Sequence, residues 1–102
     1  MEMLEQRAEA FGKVEQEIQQ ERAAALGRIA RTLGSLLARL EMLRQRAQAE
    51  SGPDREAAIA EHGEVRRRAL TYRWYLEVQR ESVGLRRHDL LDEIYPVPPP
   101  LR

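Results

Sequence analysis

The sequence predicts an all-α protein, folded as a long antiparallel hairpin of two coiled-coil-like helices. Good helix formers dominate two long segments, which a Gly-Pro step separates. The apolar residues of both segments recur mostly every three or four positions, as a buried helical face requires. A charged fraction of 33% with 5% aromatic residues is typical of long, solvated helices. The 102 residues fit one domain, with the hairpin expected at residues 1–95 and a Pro-rich tail at 96–102.

The first helix is predicted to span about residues 2–50, a stretch without proline. Its apolar stripe is narrow between Phe11 and Ile18, like the seam of a coiled coil, and it widens between Leu26 and Leu43. The stripe comprises Leu4, Phe11, Val14, Ile18, Ala25, Ile29, Leu33, Leu36, Leu40, Leu43 and Ala47. The pattern therefore predicts a buried face along most of this helix.

A second stripe of small residues, Ala23, Gly27, Ala30 and Gly34, lies beside the first. Glycine inside a helix costs on the order of 1 kcal/mol relative to alanine. We interpret the stripe as a place where another helix or a bulky side chain approaches closely. The alternative is that a long, well-supported helix merely tolerates these glycines.

The turn between the helices is predicted at residues 51–53. Gly52 can adopt the left-handed conformation that ends a helix, and Pro53 suits the first turn of the next one. Asp54 places negative charge at the positive end of that second helix. Because so short a connection holds the two helices side by side, they must run antiparallel.

The second helix is predicted from about residue 53 to residue 94. Gly63 and Gly84 are its weak points, and the latter allows a bend. Pro96 disfavours helical geometry at Tyr95, so the helix should stop there. The tail, residues 96–102, is polyproline-like.

Two interpretations of the tail stay open. It contains a PxxP spacing at Pro96 and Pro99 and could dock in an aromatic groove of a protein partner, although Leu101 occupies the position where such motifs carry Arg. Alternatively, it packs across the first helix near Leu4.

The hairpin register follows from reflection about Gly52, which pairs residue i with about residue 104 − i, because twice 52 is 104. Four pairs follow from this rule: Phe11 with Ile94, Ile18 with Leu85, Ala30 with Trp74, and Gly34 with Leu70. The small stripe of the first helix would then face the bulky stretch of the second.

Surplus apolar surface predicts self-association. The stretch 70–85 carries more large apolar side chains than one neighbouring helix can cover. We therefore expect a homodimeric four-helix bundle, although a different protein partner would satisfy the same argument. The expected interface residues are Leu70, Tyr72, Trp74, Tyr75 and Val78, with Gly27, Ala30 and Gly34.

Few residues suggest chemistry. The chain has no cysteine, which excludes disulfides, thiolate metal sites and thiol catalysis. The inner stripe of the second helix comprises Ala58, His62, Val65, Ala69, Tyr72, Leu76, Gln79, Val83, Leu90 and Ile94. On this stripe, His62 could be a structural histidine, a ligand or an acid–base group. The Glu-x-x-His motif of di-metal bundles is missing, because Ile59 and Leu85 stand three residues before the two histidines. We expect no catalytic residue, no metal site and no cofactor, and hence no enzyme.

Nucleic-acid binding is a weaker hypothesis. Arg66, Arg67 and Arg68 form the one run of three basic residues, and Arg73 follows near Tyr72 and Trp74. Glutamates interleave with them, and the formal net charge is +0. A stripe able to neutralise many phosphates is therefore missing.

The sequence favours a non-enzymatic helical protein–protein interaction module, such as an adaptor, scaffold or small chaperone, acting as a homodimer. The alternatives are a nucleic-acid-associated protein that uses Arg66–Arg68, and a metal- or small-ligand-binding bundle that uses His62. The apolar runs are too short for a membrane span, and the N-terminal residues are unlike a signal peptide. A cytoplasmic protein is expected.

Overall fold

The structure, a computed structural model, describes residues 1–102 and contains helices and no strand. Two long antiparallel helices, α1 (Glu2–Ala49) and α2 (Gly52–Ser82), pack against each other, and a single turn, α3 (Leu91–Ile94), follows. The molecule is a rod of 77 × 23 × 15 Å. The predicted all-α hairpin is confirmed.

The turn lies close to the predicted place, but its linking residues are Glu50 and Ser51, both extended, and Gly52 begins α2 rather than ending α1. Gly52 has a φ of 60°, in the left-handed region that favours glycine. The backbone N–H of Glu50 donates to the carbonyl of Arg46 at 2.9 Å, and Pro53 stands in the first turn of α2. Asp54 contributes the predicted acidic residue of that turn.

The predicted extension of the second helix to residue 94 is wrong, because α2 ends at Ser82. Gly84, with a φ of 90°, ends the helix rather than bending it. The N–H of Leu85 donates to the carbonyl of Arg80 at 2.9 Å, and the N–H of Gly84 donates to that of Glu81 at 3.0 Å. This pair of bonds is the Schellman motif, which satisfies the last carbonyls of a helix and redirects the chain.

After Gly84 the chain turns back along the hairpin as a return segment, residues 85–102. Three contacts fix its direction: Arg73 binds Asp92 at 2.8 Å, Arg66 donates to the carbonyl of Pro98 at 2.8 Å, and Arg55 donates to that of Arg102 at 2.8 Å. As the return segment advances from Asp92 to Arg102, its contact residues on α2 run backwards from Arg73 to Arg55. The segment therefore runs antiparallel to α2. The tail therefore lies near the hairpin turn, and the alternative that places it near Leu4 is wrong.

The buried core lies in the half of the rod that holds the turn. Leu91 of the return segment joins side chains of both long helices there, with Tyr95 and Val97 packed at its edge. The buried cluster comprises Leu33, Leu36, Leu40, Ala69, Leu76 and Leu91. The return segment thus supplies a third layer that two helices alone would lack.

The other half of α1 has no cover from the chain. All residues from 1 to 24 are exposed. Arg22 donates to the carbonyl of Ser82, the last residue of α2, at 3.3 Å, which agrees with the reflection rule, since 22 + 82 = 104. The predicted pairing of Phe11 with Ile94 and of Ile18 with Leu85 is wrong, because α2 does not reach that far.

Candidate functional site

An aromatic face on α2, defined as Leu70, Trp74, Tyr75 and Val78, is exposed. Leu70, Trp74 and Val78 succeed one another at intervals of four residues and share one side of the helix. Trp74 is 59% exposed, and its ring centroid lies 5.7 Å from that of Tyr75. The face is therefore an aromatic surface that its own chain leaves exposed.

Tyr72 belongs only partly to this surface. Its side chain is half-buried and packs against the core cluster. Its ring meets Tyr75 edge-on, with centroids 5.4 Å apart and planes at 71°. Tyr72 therefore links the aromatic face to the core.

The small-residue stripe is not approached closely within one chain. A Cβ added at Gly34 would meet no atom within 4 Å, and one at Gly27 would meet only the guanidinium of Arg31, 3.2 Å away on the same helix. Ala30 packs against the core, while Trp74 points to solvent. The predicted close contact of the small-residue stripe with Leu70 or Trp74 is therefore wrong within the single chain. A role of this stripe in an interface between two copies stays a prediction.

A second exposed apolar surface lies on the part of α1 beyond the end of α2, which we call the overhang (residues 2–21). Its seam comprises Leu4, Phe11, Val14 and Ile18, and Phe11 is 67% exposed. The overhang carries six glutamates against Arg7 and Lys13, a net charge of −4. Because the whole chain sums to +0, the remaining residues carry +4.

Three of the four basic residues proposed for nucleic acid make contacts within the chain, and the fourth, Arg68, is exposed. Arg73 binds Glu77 at 2.7 Å as well as Asp92, and its side chain is 12% exposed. Arg66 holds the tail, and Arg67 pairs with Glu64. These contacts reduce the positive surface that a phosphate backbone would meet.

A cleft of about 420 Å³ lies between the helices and the tail. His62, 1% exposed, lies in its wall, and its Nδ1 has no hydrogen-bond partner in the chain. Burial, with a smaller contribution from the charge of Arg66, lowers the pKa of His62, which keeps the ring neutral. The other lining residues are Leu37, Leu40, Glu41, Arg44, Ile94, Pro96, Pro98, Pro99, Pro100 and Leu101.

A charged pair borders this cleft. Arg44 donates to both carboxylate oxygens of Glu41, at 2.7 and 2.9 Å, and Gln45 adds a third bond at 3.2 Å. Hydrogen bonds from Arg44 and then Gln45 lower the pKa of Glu41 to about 2. Glu41 therefore stays ionised and does not donate protons near neutral pH.

No group of three or more His, Cys, Asp or Glu side chains is arranged to hold a metal ion. No helix combines the length and the apolarity needed to cross a membrane.

Sequence reasoning identified the aromatic face and the inward position of His62, but it missed the cleft and the overhang. Both depend on where α2 ends. The available signal was Gly84 followed by Leu85 and the polar run Arg86–Asp89, a pattern typical of a helix C-terminus and a loop.

Comparisons with protein-family models, with curated proteins and with solved structures find no match for this chain.

Proposed function

We propose that this protein is a non-enzymatic helical interaction module, an adaptor, scaffold or small chaperone, that works as a homodimer. The observation that supports the proposal is the presence of two apolar surfaces, the aromatic face and the overhang seam, that the chain itself leaves uncovered. Monomeric proteins rarely expose contiguous apolar patches of more than a few hundred Å².

The size of these surfaces fits a dimer. Their eight side chains leave on the order of 700–800 Å² exposed per chain, if a large side chain has an area of about 150–250 Å². Two copies would then bury about 1,500 Å², within the ~1,200–2,000 Å² of specific protein–protein interfaces. Each large apolar side chain contributes ~1.5–3 kcal/mol when it is fully buried.

The return segment supports the choice of these two surfaces. It already covers the groove over Leu36, Leu40 and Leu76, so that groove is not free for a partner. The outer side of α2 and the lone end of α1 stay exposed for a second copy. A dimer packed on these surfaces would contain four long helices, with the lone end of each α1 lying against the α1–α2 hairpin of its partner.

Light scattering coupled to size-exclusion chromatography tests the proposal. We expect twice the chain mass of 11.8 kDa at micromolar concentration. A folded, elongated monomer at high micromolar concentration would contradict the homodimer.

We infer a second candidate function, the binding of a small apolar molecule in the cleft beside His62. The cleft of about 420 Å³ lined by His62, whose buried Nδ1 lacks a hydrogen-bond partner, favours it, because ligand sites typically have ~300–1,000 Å³ with few polar groups. Phenol is a suitable probe, because it is small and largely apolar and its aromatic ring shifts the NMR signals of neighbouring groups such as the imidazole of His62. A saturable shift of the His62 ring signal in NMR is expected; a shift that rises linearly to millimolar phenol would exclude the site.

A further inference from the structure

We propose that the dimer is antiparallel and that the overhang of each chain covers the aromatic face of its partner. This inference rests on the homodimer proposed above and specifies which surfaces meet. A second copy of this chain occupies both surfaces.

The register of the hairpin fixes the geometry. Since Arg22 lies level with Ser82, Trp74 lies level with about residue 30 of α1, because 104 − 74 = 30. Phe11 is 19 residues from that level, a distance of ~28 Å at 1.5 Å per residue. A two-fold axis crossing α1 midway, near Gln20, therefore brings Phe11 of each chain to the level of Trp74 in its partner.

The two surfaces also match in length under this axis. Leu4 reaches the level of residue 67 on the partner's α2, and Ile18 reaches the level of residue 81, by the same reflection. The seam thus spans the whole aromatic face, from Leu70 to Val78, with less than one turn to spare at either end. One symmetry operation covers both exposed surfaces of both chains, as an isologous dimer requires.

Charge favours the same arrangement. The antiparallel dimer lays an overhang of −4 against a partner body of +4, and complementary potentials favour association. A parallel dimer would place two overhangs of −4 side by side, and like charges in juxtaposition disfavour pairing. An antiparallel pairing of the two overhangs alone would bring the same repulsion. The second of these alternatives also leaves the aromatic faces uncovered.

Cysteine cross-linking tests the arrangement, because the natural chain has no cysteine. Ala8 and Thr71 are exposed, flank Phe11 and Trp74 by one turn, and are predicted to lie opposite each other between chains. Chains carrying Ala8→Cys and tagged chains carrying Thr71→Cys are mixed and oxidised. We expect a mixed disulfide dimer, with little dimer of Ala8→Cys alone.

The outcomes separate the two proposals. A dimer in light scattering that links Ala8→Cys to itself and not to Thr71→Cys overturns the antiparallel exchange but keeps the homodimer. A monomer in light scattering overturns both.

A second measurement avoids substitutions near the interface. Gln48 is exposed at the far end of α1. Dyes on Gln48→Cys would lie ~80 Å apart in the antiparallel dimer, from 55 residues at 1.5 Å each, and energy transfer should be nearly absent. Strong transfer in a protein of dimeric mass would show a parallel dimer and refute the arrangement.

Discussion

The guanidinium Nε of Arg66 donates a hydrogen bond to the backbone carbonyl of Pro98, 2.8 Å away. His62, one helical turn earlier, lies beneath the same stretch of prolines in the wall of the cleft. This contact joins the middle of α2 to the tail and closes the third layer of the fold over a buried histidine.

The contact between Arg66 and Pro98 should stabilise the protein. Arg66→Met removes the donor, and a hydrogen bond from a charged group contributes about 1.5–3 kcal/mol. We expect the free energy of unfolding to fall by about 1–2 kcal/mol in urea titrations. Arg67→Met is the matched control, since its surface pair with Glu64 should change stability by less than about 0.5 kcal/mol. Equal stabilities of the two variants would show that Arg66 does not hold the tail.

The stability of the protein should depend on pH through His62. Because the pKa of His62 is lowered in the folded state from its ordinary value of 6.5, the unfolded chain binds a proton more readily. Above about pH 6.5 His62 is neutral in both states and does not lower the free energy of unfolding. As the pH falls from there through the folded-state pKa of His62, the free energy of unfolding decreases by at most about 1.4 kcal/mol per pH unit.

The variant His62→Leu tests this dependence. Denaturant titrations between pH 7.5 and 5 should show a shallower loss of stability in the variant than in the natural protein. An unchanged slope would contradict a neutral, buried His62.

Gly84 should be required for the end of α2. Gly84→Ala forces a side chain into the left-handed region, which costs about 1–2 kcal/mol, and we expect that loss in the free energy of unfolding. Gly63→Ala is the control, because Gly63 is helical and an added Cβ meets nothing within 4 Å. It should stabilise the protein by about 0.5–1 kcal/mol. If both variants gain stability, the Schellman motif at Gly84 is not formed in solution.

Trp74 should contribute to dimerisation rather than to the fold. Trp74→Asp places a charge in the proposed interface, and loss of a central tryptophan costs at least about 2 kcal/mol of binding, a rise of roughly 30-fold in the dissociation constant. The circular dichroism spectrum should not change, since the indole is 59% exposed in the chain. Met42→Asp, at an exposed residue outside both surfaces, should keep the natural affinity. A dimer of unchanged affinity in Trp74→Asp would place the interface elsewhere.

Local signals in the sequence determined the hairpin and its register. Gly52 and Pro53 fix the turn through their backbone preferences, and the reflection about that turn places Arg22 opposite Ser82, as observed. The periodic leucines of α1 between Leu33 and Leu43 form the core, and the inner stripe of α2 placed His62 correctly. These features depend on residues close together in the chain, so periodicity and turn chemistry are sufficient to predict them.

Only the tertiary structure decided the return segment, the cleft and the overhang. Gly84 is compatible with a bend or with a helix end, and the choice depends on contacts with residues far away in the chain. Leu91 packs against Leu36, Leu40 and Leu76 only if α2 ends at Ser82 and the chain turns back. Burial of that leucine and the bonds from Arg55, Arg66 and Arg73 stabilise the reversed path. Sequence periodicity does not reveal such long-range contacts, because the spacing of Val83, Leu90 and Ile94 also fits a continued helix.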